Sequence, residues 1–249
     1  MINYMKSEIY RFNRKKTYGI LLAITSILII SFVIVLNIAG KGSTTFEYNN
    51  IMFLYRNVVG EGPLIIMLGF IVSNILLGKD LNIIKSSIHG GVSRSIIFWS
   101  KFLIGTGYYI LLGIILVGLT IILGQVFFKG TEDPGIKNYI MALLNMLPIL
   151  ISAFAISYTF GISQIKNSST IIFLLFVYGV LEPILNLFTD IFKPLTKILG
   201  YLPYTIFLNN LEYLGNKNVV FMSQVWITGI IITTVVLIIG YRKFKKKDF

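Results

Sequence analysis

The chain contains no cysteine, a single histidine and only ten acidic residues in 249. Without cysteine there is no disulfide framework, thiolate nucleophile, iron–sulfur cluster, Cys-type zinc site or palmitoylation anchor. One histidine excludes a His-based metal cluster and leaves little for imidazole acid–base chemistry, so neither a metal nor a cofactor is expected. Charge is scarce as well. Asp, Glu, Lys and Arg make up 13% of residues, about half the roughly 25% of a soluble domain. The gaps between charges are long: runs 18–39, 62–78, 102–128, 138–165, 167–181 and 218–241 hold none, and together they exceed half the chain. Most are near the ~20 residues that cross a bilayer core. With 55% hydrophobic residues and a mean hydropathy of +0.81, the sequence predicts an all-α integral membrane protein of six spans. The segments between them are far too short for a soluble catalytic domain, which usually needs on the order of 100 residues.

A net charge of +12 would suggest nucleic acid in a soluble protein, but its placement gives another answer. Fifteen Lys and Arg fall in the N-terminal stretch, the loop near 79–101, the turn at Lys166 and the tail from Arg242; seven fall on the other side. The positive-inside rule puts both termini and those loops in the cytoplasm, which six spans satisfy. The expected location is a bacterial cytoplasmic membrane. The basic side reads as an orientation signal in contact with anionic lipid, with no nucleic-acid partner. The run Tyr18–Ala39 is longer than the 7–15 residues of a signal-peptide core and is read as a retained span.

Residues 1–249 form a single transmembrane domain. Residues 1–16 carry an amphipathic interfacial helix, with Ile2, Met5, Ile9 and Phe12 in one stripe at 100° per residue. Spans are expected at about 18–39, 60–78, 97–128, 138–165, 168–188 and 219–241. An external loop of about 20 residues follows the first. Trp99 and Lys101 belong to the inner interface, the lysine snorkelling. Pro148 kinks or weakens span four. The turn at 166–169 is so short that spans four and five are antiparallel neighbours. An outer helical segment covers 190–217.

The inner loop 79–95 is the most informative piece. Asp80 suits an N-cap and Gly90 a C′ position, framing a helix Leu81–His89. Leu81, Ile84 and Ile88 share its apolar face, while Asn82, Lys85, Ser86 and His89 share the other. Gly90 and Gly91 turn the chain towards Arg94, with Ser93 as a cap for the next span. Two readings stand: a docking element for another protein, or a helix lying on the inner leaflet.

The stretch from Lys85 to Lys101, with Gly91-Val92-Ser93-Arg94 followed by Ser100-Lys101, resembles the inner loop of type-2 ABC transporter permeases. The likeness is particularly to the lantibiotic-immunity and peptide-export group. Its signature there is Lys-x5-Gly-(Val/Ile)-Ser-Arg … Ser-Lys. The likeness extends over the chain: a basic interfacial helix, six spans, outer helices before the last span and a short basic tail. Many relatives carry Glu-x3-Gly-Thr early in this loop; here Asp80 is the nearest acid and no Gly-Thr follows. The resemblance implies a type-2 ABC exporter-like fold, with the loop serving as coupling helix in a cleft of a separate ATPase subunit. Leu81, Ile84, Lys85, Ile88, His89, Gly90, Gly91 and Arg94 are the residues it assigns to that contact. It also implies two ATPase subunits, a second copy or similar permease, and a peptide, antimicrobial or other amphipathic substrate.

This chain does not bind nucleotide itself by sequence. Gly40-Lys41-Gly42-Ser43 faintly resembles a phosphate loop, but Val35 stands where the first glycine is required and no strand–loop–helix context surrounds it. ATP hydrolysis is expected in a partner, and the chain is not read as an enzyme: its spans lack a pair of convergent catalytic groups. The alternative is a secondary transporter driven by an ion gradient. Such carriers usually show internal repeats and several midplane charges, whereas here there is no detectable repeat and a single intramembrane acid, Glu182. Pro183 disfavours helical geometry at Glu182 and bends the span, and Asn186 lies one turn away. Glu182 and Asn186 either line a water-filled outer vestibule or mark the end of the span, with the acid reaching outward.

Overall fold

In hydrocarbon no water is present to satisfy backbone N–H and C=O groups, so apolar runs without charge fold as helices. The computed structural model describes residues 2–42, 50–78, 81–128, 134–216 and 218–247, and the regular elements among them are helical. They are α1 (Ile2–Asn13), α2 (Lys16–Gly42), α3 (Ile51–Gly60), α4 (Gly62–Leu77), α5 (Leu81–His89), α6 (Arg94–Phe127) and α7 (Pro134–Ile162). Next, α8 (Asn167–Leu175) passes through a π-helical turn, Phe176–Val180, into α9 (Leu181–Asn186). The chain closes with α10 (Leu195–Leu199), α11 (Pro203–Gly215) and α12 (Ser223–Lys246). Five segments among the described residues are long and apolar enough to cross a membrane: Lys16–Lys41, Arg94–Phe127, Gly135–Ile162, Asn167–Asn186 and Ser223–Lys246. The pair α3–α4, bent by 54°, makes a sixth when taken as one span. The protein is a multi-pass α-helical membrane protein.

The helices depart from the sequence expectation in several places. The external loop expected before residue 60 contains α3, hidden in the sequence because Arg56 interrupts its apolar run. Leu54 and Tyr55 of α3 are buried, and the Tyr55 ring stacks on Tyr139 of α7 at 4.2 Å. The fourth span starts at Pro134 and ends at Ile162, several residues earlier than expected, and α7 passes through Pro148 without a break. Asp133 lies outside the described residues. The helix ends early because Gln164 takes a left-handed conformation, φ 61°. Its N–H reaches the Gly161 carbonyl at 3.0 Å and the Ile165 N–H reaches Phe160 at 3.0 Å, the two bonds of a Schellman stop. The outer segment contains two helices, α10 and α11.

The core is built around α7. Of its most apolar stretch, 67% is buried inside the protein, against 17–22% for the other long spans. It packs on α12, α4, α11, α8, α3 and α6. Its sequence shows why neighbours come so close: Ala142, Ala153 and Ala155, three of the chain's five alanines, sit on it and are buried. Association in lipid relies on close van der Waals contact, which small residues permit. On the facing helix α12, a Cβ added at Gly229 would stand 2.5 Å from the Pro148 carbonyl carbon, and one at Gly240 would overlap Thr159. These glycines, three turns apart, seat α12 against α7 along its length.

Gly229→Ala therefore forces two backbones apart. It is expected to destabilise the protein by about 1–3 kcal/mol, the usual cost of overpacking. Gly113→Ala on α6, where a Cβ meets nothing within 4 Å, is expected to leave stability unchanged. Thermal unfolding in detergent checks both; equal melting temperatures for Gly229→Ala and the native chain would contradict the glycine seam.

Candidate functional site

Contacts gather α1, α5 and the C-terminal end of α12 at one end of the bundle. The helix expected at Leu81–His89 is present as α5 with those bounds. Its stop differs in one residue. Gly91, at φ +85°, is the C′ residue rather than Gly90. The Gly91 N–H donates to Ile88 O at 3.0 Å and the Val92 N–H to Ser87 O at 3.0 Å, so both bonds of a Schellman motif fix the turn. The expected cap, Ser93, starts α6: its Oγ accepts from the Ile96 N–H at 3.3 Å. Asp80 and Lys79, the expected start of the loop, lie outside the described residues. Thus α5 is held to α6 by a four-residue connection whose backbone is hydrogen-bonded at both ends.

The faces of α5 separate by burial. Lys85, Ser86, His89, Gly90 and Gly91 are exposed, with His89 Nδ1 2.9 Å from the Lys85 carbonyl oxygen. Ile88 is half-buried against the core. Ile84, one of the residues the resemblance assigns to the ATPase contact, is 0% exposed within the chain itself, so as folded it offers no surface to a partner. Its role is to seat the helix. Leu81 opens the helix. Arg94 is half-buried, and its guanidinium donates to the Lys245 carbonyl in the last turn of α12. A cation on the carbonyl end of a helix satisfies an otherwise unpartnered acceptor and complements the helix dipole.

Beneath α5 an aromatic cluster binds the root of α6 to its neighbours. Phe98 is buried with ring centroids 5.3 Å from Tyr158, 5.5 Å from Tyr241 and 5.9 Å from Phe244. The Tyr158 hydroxyl donates to the Phe98 carbonyl at 2.7 Å. Trp99 packs half-buried in the same cluster, 6.2 Å from Tyr241. Lys101 does not snorkel to an interface as the sequence suggested. It is 0% exposed, and its Nζ donates at 2.8 Å to Glu8 of α1, itself 2% exposed. Glu8 also pairs with Arg11. The buried side of α1 is therefore centred on Glu8 and Phe12, while Ile2 and Ile9 of the expected stripe stay exposed. Phe12 stacks on Tyr108 at 4.1 Å, and the Tyr18 hydroxyl donates to Tyr108 O at 2.9 Å, tying α1, α2 and α6 together.

At the opposite end, Glu182 is half-buried in the first turn of α9 and Asn186 is exposed one turn on. Pro183 has no N–H to give the Gly179 carbonyl, and the expected bend takes the form of the π-helical turn before it, in which Leu181 N–H bonds Phe176 O. That turn carries Tyr178, whose hydroxyl meets Ser152 of α7 at 2.6 Å, both buried.

A buried polar group that sequence reasoning missed lies nearby. The segment 218–222, leading into α12, has no regular secondary structure. Its Val219 N–H donates to Asn138 at 3.4 Å and its Met222 N–H to Asn145 at 3.1 Å. Asn145 Nδ2 donates to the Val220 carbonyl at 2.9 Å, and Asn210 of α11 donates to Ala142 O at 2.9 Å. Asn145 and Asn210 are both 0% exposed. The one hint in the sequence is the spacing of Asn138 and Asn145, two turns apart on α7 in a run without charge. No family model matches the chain, and no curated protein matches it either.

Lys101→Met takes from buried Glu8 one of its two cationic partners and leaves Arg11 alone to balance it; breaking a buried pair from one side typically costs about 3–5 kcal/mol. Lys101→Met alone is expected to lower the melting temperature sharply. Glu8→Met together with Lys101→Met should restore most of the loss, because two apolar side chains of similar length fill the same space. A double variant as unstable as Lys101→Met would contradict the pairing.

Proposed function

We propose that the chain is the membrane-spanning permease subunit of an ATP-driven exporter, and that α5 docks on a separate ATPase subunit. The observation carrying this reading is the mounting of α5. A nine-residue helix is joined to α6 through a hydrogen-bonded turn, seated by buried Ile84, and shows Lys85, Ser86 and His89 outward. A helix so attached transmits force to its span, whereas a helix merely lying on lipid needs no rigid joint. The resemblance of Lys85–Lys101 to type-2 permease loops supports the same reading, as does the lack of a phosphate-binding loop in this chain. On this reading the contact surface is the polar face of α5, while Ile84 and Arg94 hold the helix in place.

The same proposal puts α1, α5 and the α12 tail in the cytoplasm of a bacterial cell, since that end carries most of the Lys and Arg. Two permeases and two ATPases make the working unit. The substrate is an amphipathic molecule of the peptide or antimicrobial type, a class suggested by the resemblance.

Lys85→Glu with His89→Glu reverses the charge of the exposed face without touching a buried side chain. Membrane insertion is expected to stay normal, while ATPase recovered with the permease falls about tenfold or more, the change that 1.4 kcal/mol produces. Recovery at the native level would overturn the docking role of this face.

A further inference from the structure

The chain between α9 and α11, residues 187–201, belongs to no span and divides into two kinds of residue. Projected at 100° per residue, Leu187, Phe188, Ile191, Phe192 and Ile198 share one half of the circle with Leu195 and Leu199. Asp190, Lys193, Lys197 and the two threonines share the other half. The structure leaves most of the apolar set uncovered. Leu199 is buried and Leu195 half-buried, but Leu187 is 76% and Ile191 82% exposed, and Phe188, Phe192 and Ile198 are exposed too. Contiguous apolar surface of this kind is unusual against water and marks a site of contact.

Its place in the fold identifies what covers it. The span Asn167–Asn186 has 20 residues, about 30 Å at 1.5 Å each, which is the thickness of the hydrocarbon core. Leu187 therefore stands at the boundary of that core. The chain does not run on from there into water. Helix α10 packs back on α9, and α11 after it packs on the π-helical turn, α7 and α3, so the segment returns to the bundle near the level it left. Its apolar surface also continues the surface of the span. Phe176, Val180 and Ile184 are exposed one turn apart, and Leu187 and Ile191 follow at the same spacing. The backbone suits low polarity as well. Seven N–H groups between Leu187 and Thr196 bond carbonyls three or four residues back. The Thr189 and Thr196 hydroxyls donate to the Asn186 and Lys193 carbonyls at 2.7 and 2.8 Å. Donors used within the segment need no water.

We propose that residues 187–201 form an interfacial anchor lying in the lipid leaflet at the end of the bundle opposite α5. Leu187, Phe188, Ile191, Phe192 and Ile198 enter the outermost part of the acyl layer, and Lys193 and Lys197 reach the headgroups, the arrangement of an amphipathic segment in the plane of a leaflet. The anchor fixes the depth of the span that α8 and α9 make. It is independent of the ATPase reading, because it uses no residue of α5 and needs only the multi-pass membrane fold.

The chain has no cysteine, so single sites can be labelled. Ile191→Cys, Ile198→Cys, Lys193→Cys and Lys197→Cys, all at exposed positions where substitution spares the core, each receive a nitroxide. The full chain is reconstituted in vesicles of phosphatidylethanolamine and phosphatidylglycerol. Power saturation then reads collision with oxygen, which enters hydrocarbon, and with a water-soluble nickel chelate present on both sides of the membrane. Labels at 191 and 198 are expected to meet oxygen freely and to meet nickel about tenfold less than labels at 193 and 197, the change that 1.4 kcal/mol produces. Equal nickel access at all four sites places the segment in water and overturns the anchor. Shielding of 191 and 198 from oxygen and nickel alike overturns it in favour of cover by protein, and dipolar broadening between labels identifies that protein as a second copy of the chain.

Discussion

Hydrocarbon offers no hydrogen-bond partner, so wherever this chain stops or breaks a helix, the protein itself must supply one. Where the adjoining turn does not do so, a distant element does. Lys15, from the connection between α1 and α2, takes two carbonyls at the end of α4. Arg94, at the start of α6, reaches the last turn of α12. Asn37 of α2 donates to Phe127 O at the end of α6, at 2.8 Å. Asn138 and Asn145 hold the irregular stretch before α12. Each donor lies far along the chain from its acceptor. The bundle is fixed by these cross-connections, with the small residues of α7 and the glycines of α12 letting the backbones approach.

The same requirement explains the basic end. Its cations make structural contacts: Lys15 and Arg94 cap helices, and Lys101 pairs with Glu8. Burying that pair costs desolvation, so it is weak evidence for stability. It does specify one register of α1 on α6, since a shift of one residue would bury a charge alone. The root of α6 is thus gripped by the aromatic cluster around Phe98 and by Glu8. On the proposed reading, force applied at α5 passes into a helix of 34 residues that has little freedom to tilt independently of α1 and α12.

Much of the architecture is legible in the sequence. Charge-free runs mark the spans because ionisable groups are costly in lipid, and α5 shows itself through the spacing of Ile84 and Ile88 ahead of two glycines. Other features depend on partners distant in the chain. Nothing near Lys101 says that it is buried, because its partner stands 93 residues earlier. Which face of α5 is covered could not be read either, since an apolar stripe looks the same whether it meets its own chain or another protein. The asparagine network was hidden by its neutrality: Asn138, Asn145 and Asn210 carry no charge and do not interrupt an apolar run. The central place of α7 had one signal, the clustering of scarce alanine, and α3 had Arg56 to disguise it.

The absence of cysteine makes the central claim, that the polar side of α5 is a partner surface on the cytoplasmic side, directly measurable. Single substitutions Lys85→Cys, His89→Cys and Ile84→Cys can be tested in inside-out membrane vesicles with a membrane-impermeant maleimide, with and without the ATPase. The account predicts that Lys85→Cys and His89→Cys react readily and become protected when the ATPase binds, while Ile84→Cys stays unreactive in both states. Reaction of Lys85→Cys only in right-side-out vesicles, or undiminished reaction in the presence of the ATPase, would contradict it.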